Sequence, residues 1–251
     1  MSQIDEQADS LIAEGHVIPS SLWGELIPAD AKSIKDNLID IQNKIAPCKP
    51  KIIGVTKYFG LNAILNGYEA GLRNFGESRV LDAIEKINSL PKNIKDSSVF
   101  HFIGHLQTNK AAKAVEYFDY IHSVDSLKLA SVISKAAVNI GKVQKILLQV
   151  NIAQEEQKTG YSKQDLIKDL PEIINLDNLE IVGLMNMAPL GAPEEELKKI
   201  FRELRELRDY LEKDFNMRLP ELSMGMSDDY QIAIQEGSTM IRIGRKLFKI
   251  N

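Results

Sequence analysis

A single lysine, Lys57, ends the run Lys51-Ile52-Ile53-Gly54-Val55-Thr56-Lys57. Ile52, Ile53 and Val55 are β-branched and apolar, so the run reads as a short buried strand that delivers an ammonium to a loop. A partly desolvated ammonium has a lowered pKa, and its free amine can form a Schiff base with an aldehyde. A solvated lysine after a strand is the equally simple reading of this stretch alone. Near the other end of the chain, Ser223-Met224-Gly225-Met226-Ser227-Asp228-Asp229 and Met240-Ile241-Arg242-Ile243-Gly244-Arg245 each complete a strand-like run. Gly225 and Gly244 would let backbone N–H groups approach an anion. Ser223 and Ser227 add hydroxyls, and Arg242 adds a guanidinium for phosphate or a ring nitrogen. Asp228 and Asp229 would repel a phosphate if they pointed inward. In the first turn of a helix they are expected to face solvent and complement its dipole, and Ser227 is then no more than an N-cap.

These residues need elements to hold them. Strand patterns fall at 51–56, 72–75, 99–103, 119–122, 144–150, 180–184, 220–223 and 239–243. Helical patterns fall at 61–70, 77–89, 109–117, 126–140, 162–174, 194–214 and 227–236. Strict alternation of β and α predicts a parallel sheet. Eight strands with intervening helices predict an α/β fold, a single (β/α)8 barrel, with a doubly wound open sheet as the alternative. An extra helix is expected at 30–46, capped by Asp30 and ended by Pro47 and Pro50, where it could cover the outer face of the eighth strand. In the most charged helix, Leu197, Ile200, Phe201, Leu204, Leu207 and Leu211 form one stripe, and pairs such as Glu195 and Lys199 face water. Residues 1–29 are weakly patterned. They are expected to form an N-terminal extension in which Leu22, Trp23 and Leu26 touch the body, with the barrel domain at 30–251.

Composition narrows the function classes. A net charge of −4 leaves no basic footprint for nucleic acid. One cysteine, Cys48, rules out an internal disulfide and fits a reducing compartment. No apolar run approaches the ~20 residues of a membrane span. Met1 to Glu14 carries four acidic residues and no Lys or Arg, the opposite of a presequence, so a cytoplasmic location is expected. His101 and His105 are four apart, but on a strand and its loop, and no third ligand is evident, so no metal site is expected. His122, at the end of the fourth strand, reads as a packed histidine, and Cys48 is a poor candidate nucleophile.

Barrels bind phosphate in the loops after strands seven and eight, and place chemistry at the C-terminal rim of the strands. A Schiff-base lysine on strand one opposite such a cradle implies a ligand with both an aldehyde and a phosphate. Pyridoxal 5′-phosphate (PLP) has both. Further motifs lie between these ends: Asn74-Phe75-Gly76-Glu77, His101-Phe102-Ile103-Gly104-His105-Leu106-Gln107-Thr108-Asn109-Lys110, and Gly237-Ser238-Thr239. With Ile53-Gly54-Val55-Thr56-Lys57, Leu222 to Ser227 and Arg242-Ile243-Gly244, the chain resembles the pyridoxal phosphate homeostasis proteins over about residues 30 to 248. Their fold is like the N-terminal barrel of alanine racemase. The resemblance implies that Lys57 carries PLP as a Schiff base, and that the Ser223–Ser227 loop and Arg242-Ile243-Gly244 hold its phosphate and ring. The candidate cofactor-binding residues are therefore Lys57, Asn74, Ser223, Gly225, Ser227, Arg242 and Gly244. The tail after Phe248 lacks the glycine common in the family.

Three functions compete. A PLP-binding protein would store, buffer or deliver the cofactor, with PLP-dependent apoenzymes as its recipients and a monomer as its state. A PLP-dependent amino-acid racemase needs a base on each cofactor face. Racemases, by the resemblance, take the second from a β-domain of the partner subunit, for which the residues after strand eight are too few. A class I aldolase would use Lys57 on a sugar phosphate. The binding protein is the expected reading, with no catalytic residue assigned.

Overall fold

Eight parallel strands close into a barrel in chain order, the first pairing with both the second and the eighth. The computed structural model describes residues 28–153 and 159–249. The expected docking of Leu22, Trp23 and Leu26 lies outside the described residues. Helix α1 (Ala31–Ile45) precedes β1 (Lys51–Val55), α2 (Leu61–Glu69), β2 (Asn74–Glu77), α3 (Val80–Ser89), α4 (Lys92–Asp96) and β3 (Val99–Phe102). A 3₁₀ turn (Thr108–Lys110) leads into α5 (Ala111–Tyr117), β4 (Tyr120–Val124), α6 (Leu127–Asn139) and β5 (Gln144–Gln149). Then follow α7 (Lys163–Ile174), β6 (Leu179–Met185), α8 (Glu194–Asp214), β7 (Glu221–Ser223), α9 (Tyr230–Gln235), β8 (Met240–Ile243) and α10 (Arg245–Phe248).

The (β/α)8 expectation holds, and its alternative, the open sheet, does not. Local chemistry explains the boundaries that match. Asp30 accepts a hydrogen bond from the Ser33 N–H at 2.7 Å and starts α1. Ser126 and Ser162 cap α6 and α7 in the same way. The apolar stripe of α8 is buried as read, from Leu197 to Leu211. Burying such side chains is worth roughly 1.5–3 kcal/mol each, which outweighs the poor hydropathy of the helix as a whole. On its wet face Lys198, not Lys199, pairs with Glu194 and Glu195. Helix α1 packs on α2, α9 and α10, and the Ala29 N–H donates to the Phe248 carbonyl.

Three of the boundary differences bear on the site. Strand β2 runs two residues further than the apolar pattern indicated, because Glu77 is buried and paired rather than opening a helix. Strand β4 continues to Val124, so His122 lies within it and not at its end. The helix expected at 227–236 begins only at Tyr230, because the side chain of Asp229 accepts from the Met226 N–H and holds a turn there.

Most apolar side chains of the strands face the helical layer, where Phe75, Phe100, Ile121, Ile146, Leu148, Leu222 and Ile241 join one continuous core. A small second cluster holds Leu147, Val182 and Met185 with Tyr120 packed against it. Strands β6 and β7 approach closely where Gly183 pairs with Glu221. A Cβ on Gly183 would stand 1.8 Å from the Glu221 carbonyl oxygen. Backbone cannot yield as a side chain can, so Gly183→Ala is expected to destabilise the barrel by about 1–3 kcal/mol or more. Urea unfolding measures this as a lowered midpoint. An unchanged midpoint would show that β7 can move away freely.

Candidate functional site

The mouth is assembled from three adjoining strand ends. Strand β1 lies between β2 and β8, with Val55 level with Gly76 and Gly54 level with Ile243. The Gly244 backbone therefore sits against the end of β1. A Cβ built on Gly244 would be 3.5 Å from both the Cβ and the carbonyl oxygen of Val55, ordinary contact. Protein packing alone would thus tolerate a side chain there. Gly225 differs: its φ is +93°, and a Cβ would meet Ala233 at 2.6 Å. Its glycine is required by the turn itself. The Arg242 N–H donates to the Gly225 carbonyl at 3.0 Å, which ties the loop after β7 to β8. Among the described residues, the N–H groups of Ser227, Asp228 and Gly244 meet no protein acceptor.

Beneath this rim a hydrogen-bonded chain crosses the lumen. Arg242 Nη1 reaches the Ser223 hydroxyl at 2.6 Å and the Ser223 carbonyl at 2.7 Å, and Nη2 reaches the Asn186 carbonyl at 2.8 Å. Ser223 Oγ meets His122 Nδ1 at 2.9 Å. His122 Nε2 meets His101 Nδ1 at 2.9 Å, and His101 Nε2 meets Asn74 Oδ1 at 3.1 Å. Strands β4 and β7 are not neighbours, so the His122–Ser223 bond spans the interior. One polarity satisfies every atom. Arg242 donates to Ser223, Ser223 to His122, His122 to His101, and His101 to Asn74. Both imidazoles are then neutral. A second proton on His101 would set its Nδ1–H against the His122 Nε2–H, and one on His122 would set its Nδ1–H against the Ser223 hydroxyl proton. Tyr120 stacks on His101 with ring centroids 4.7 Å apart.

Burial supports the same protonation states. It pushes the His101 pKa down to about 3 and that of His122 well below its ordinary value, with the neighbouring His101 and the Arg242 charge adding to the latter. Burial also lowers the Arg242 guanidinium to about 10, still cationic at neutral pH, and Asp229 opposes that shift. Asp229 is itself buried and raised by desolvation, so it does not face solvent as the sequence suggested. Its bond to the Met226 N–H turns it away from the role of a free anion. Asp228 is exposed and pairs with Arg245 at 2.7 Å. Ser227 is buried but caps no helix, because Asp229 occupies the cap position of α9.

Lys57 stands half-buried at the end of β1, its Nζ 4.7 Å above the Tyr58 ring. It lines a cleft of about 290 Å³ with Gly60, Leu61, Asp82, Glu85, Lys86 and Ser89. No hydrogen bond joins it to the Arg242 chain. Adjacent to it, Thr56 Oγ1 donates to Glu77 Oε1 at 2.6 Å, and Lys86 Nζ donates to the same oxygen at 2.9 Å. Glu77 belongs to the Asn74–Glu77 motif, which by itself gives it no role, and nothing local in the sequence marks Lys86. The signal was present only as a strand-parity carboxylate, and its partner lies one helix away. His101, read on the third strand four residues before His105, and His122, read as a packed residue, are the middle of the lumen chain. His105 is exposed, 3.6 Å from Asp125. Among the described residues no group of His, Cys, Asp and Glu could hold a metal ion. Nor is any described helix long and apolar enough to cross a membrane. Cys48 is exposed.

The family profile "Alanine racemase, N-terminal domain" matches residues 29–251. A Synechocystis protein named pyridoxal phosphate homeostasis protein is 43% identical over 80% of this chain and 92% of its own length. A protein of that name from Aquifex aeolicus is 40% identical over 79% of this chain and 86% of its own. Among solved structures, PipY of Synechococcus elongatus with PLP bound is 39% identical, with a TM-score of 0.79 over 86% of this chain and all of PipY. Alanine racemase of Clostridium difficile shares the fold, with a TM-score of 0.75 at 14% identity.

The neutral histidine pair has a measurable signature. The unfolded histidine titrates near 6.5 and the folded one far lower. Between those values the unfolded chain binds protons that the folded chain refuses. The stability is therefore complete above about pH 6.5 and declines as pH falls. At pH 5 the loss is about 2 kcal/mol per histidine, from 1.36 kcal/mol per unit over roughly 1.5 units. His122→Gln removes one such site. Its deficit in unfolding free energy relative to the parent should shrink by about 2 kcal/mol between pH 7 and pH 5. A pH-independent deficit would mean that His122 is protonated in the fold.

Proposed function

The chain belongs to the pyridoxal phosphate homeostasis protein family, and on that premise we propose that it binds PLP and buffers, stores or delivers it inside the cell as a monomer, with PLP-dependent apoenzymes as recipients. The observation that carries the reading is that the end of β1, which leads into Lys57, lies against Gly244 at the end of β8, and that the Arg242 N–H of β8 ties in the Gly225 turn.

The residues fit the group. PLP supplies an aldehyde, a phosphate and an electron-poor ring. Lys57 is the amine that holds the aldehyde as a Schiff base. The unpartnered N–H groups of Ser227 and Gly244 and the Ser227 hydroxyl suit a phosphate, and the unfilled space at Gly244 lets its backbone approach. Gly225 contributes the turn that presents this loop. Arg242 has spare donors beyond its three bonds and is aimed by Ser223, whose own hydroxyl is oriented by His122 and, through His101, by Asn74. Asn74 and Ser223 thus act through Arg242, holding it cationic and fixed. Nothing in this arrangement demands turnover. Lys57 can move a proton on one face only, and racemisation needs a second group on the other.

Borohydride reduction of the PLP-loaded protein should attach the phosphopyridoxyl group to Lys57, and Lys57→Ala should lose the visible band. Label found mainly on Lys86 or Lys110 in peptide mass spectrometry would sink the assignment. Arg242→Met should weaken PLP retention about ten- to a hundredfold, since a hydrogen bond to a charged group is worth roughly 1.5–3 kcal/mol. A competition assay reads this directly, and unchanged affinity would show that Arg242 serves only the barrel interior. A chiral assay across the common amino acids should detect no Lys57-dependent inversion near the ordinary kcat range of about 1–10³ s⁻¹. Turnover in that range would make the protein a racemase.

A further inference from the structure

We propose that the buried Glu77–Lys86 ion pair is a positioning device for Lys57, fixing the peptide from which the Schiff-base lysine departs. The inference rests on the assignment of Lys57 above.

Thr56 precedes Lys57, and every polar group of Thr56 is engaged. Its N–H donates to the Gly76 carbonyl at 3.1 Å, and its hydroxyl donates to Glu77 Oε1 at 2.6 Å. Its carbonyl accepts from Lys86 Nζ at 3.0 Å and from the Phe59 N–H at 3.0 Å. Lys86 Nζ also donates to Glu77 Oε1 at 2.9 Å, which closes a ring of bonds through Thr56, Glu77 and Lys86. Thr56 is fully buried, Glu77 is 1% exposed and the Lys86 side chain 12%. The Thr56 carbonyl belongs to the same planar unit as the Lys57 N–H. Two donors on that oxygen therefore set the plane, and with it the direction in which the Lys57 side chain leaves β1.

The pair has no other evident task. A buried ion pair is a poor source of stability, because desolvation offsets most of the attraction. Desolvation is the largest influence on the Glu77 carboxyl and raises its pKa, against the pull of Lys86 and Thr56. Lys86 reaches from α3 to the end of β1, and its stem shares the cleft that Lys57 lines. The reacting amine adds to the aldehyde carbon and one water leaves. A nucleophile displaced by about 1 Å can lose on the order of a hundredfold in rate.

The test separates positioning from binding. Stopped-flow absorbance would follow Schiff-base formation with PLP, and the affinity for pyridoxine 5′-phosphate, which has no aldehyde, would be measured beside it. Lys86→Met and Glu77→Gln should slow Schiff-base formation at least about tenfold and leave the affinity for the aldehyde-free analogue within about threefold. Lys86→Arg, which keeps donors to both oxygens, should recover part of the rate. Thr56→Val removes only the hydroxyl donor, at nearly constant shape, and covers the case in which the charge variants fail to fold. It should slow the step as well. Parental rates in these variants, or an equal loss of rate and analogue affinity, would overturn the proposal. Reduction of the parent protein labelling a lysine other than Lys57 would instead overturn the assignment on which it rests.

Discussion

A polar group buried inside a closed barrel costs stability unless it finds a partner, and the partner can lie across the lumen. In this protein the partner series runs from Arg242 through Ser223, His122 and His101 to Asn74. It joins strands 2, 3, 4, 7 and 8 at their side chains, where the sheet joins them only at their backbones. The series works in one direction only. Reversing both imidazoles would leave the Ser223 hydroxyl without an acceptor and set the His101 Nε2 lone pair against the Asn74 oxygen, so the groups at the two ends set the tautomers of both histidines. This interaction decides how much of the lumen can be apolar. Leu147, Val182, Met185 and Tyr120 form only a small cluster apart from the main core.

The same constraint places the chemistry. Arg242 stays charged because two backbone carbonyls and a hydroxyl hold it. Above it the backbone, rather than side chains, forms the rim: the Gly225 turn, the Ser227 and Asp228 N–H groups and the Gly244 N–H. Lys57 enters from the adjoining strand. Its peptide is held by a second buried polar group, the Thr56–Glu77–Lys86 ring, separate from the lumen chain. On the PLP-binding reading proposed above, each half of an aldehyde-and-phosphate ligand would have its own rigid support.

Much was legible in the sequence alone, and for local reasons. Period-2 and period-3.6 apolar patterns, the Asp30 cap and the stripe of α8 are each settled within a few residues of chain. Alternating β and α then allows few closed topologies. Lys57, Arg242 and the glycine loops stood out because an isolated polar residue after an apolar run is readable without knowing its neighbours. What the sequence could not decide was anything that depended on a partner distant in the chain. Glu77 looked like the first residue of a helix, yet Thr56 and Lys86 draw it into β2. Asp229 looked solvated by its position in a helical turn, yet burial and the Met226 N–H claim it. His122 and Ser223 are 101 residues apart and touch only because the barrel closes. Pattern reading measures the company a residue keeps along the chain, whereas charge state and donor direction follow from the groups that tertiary closure brings within about 3 Å.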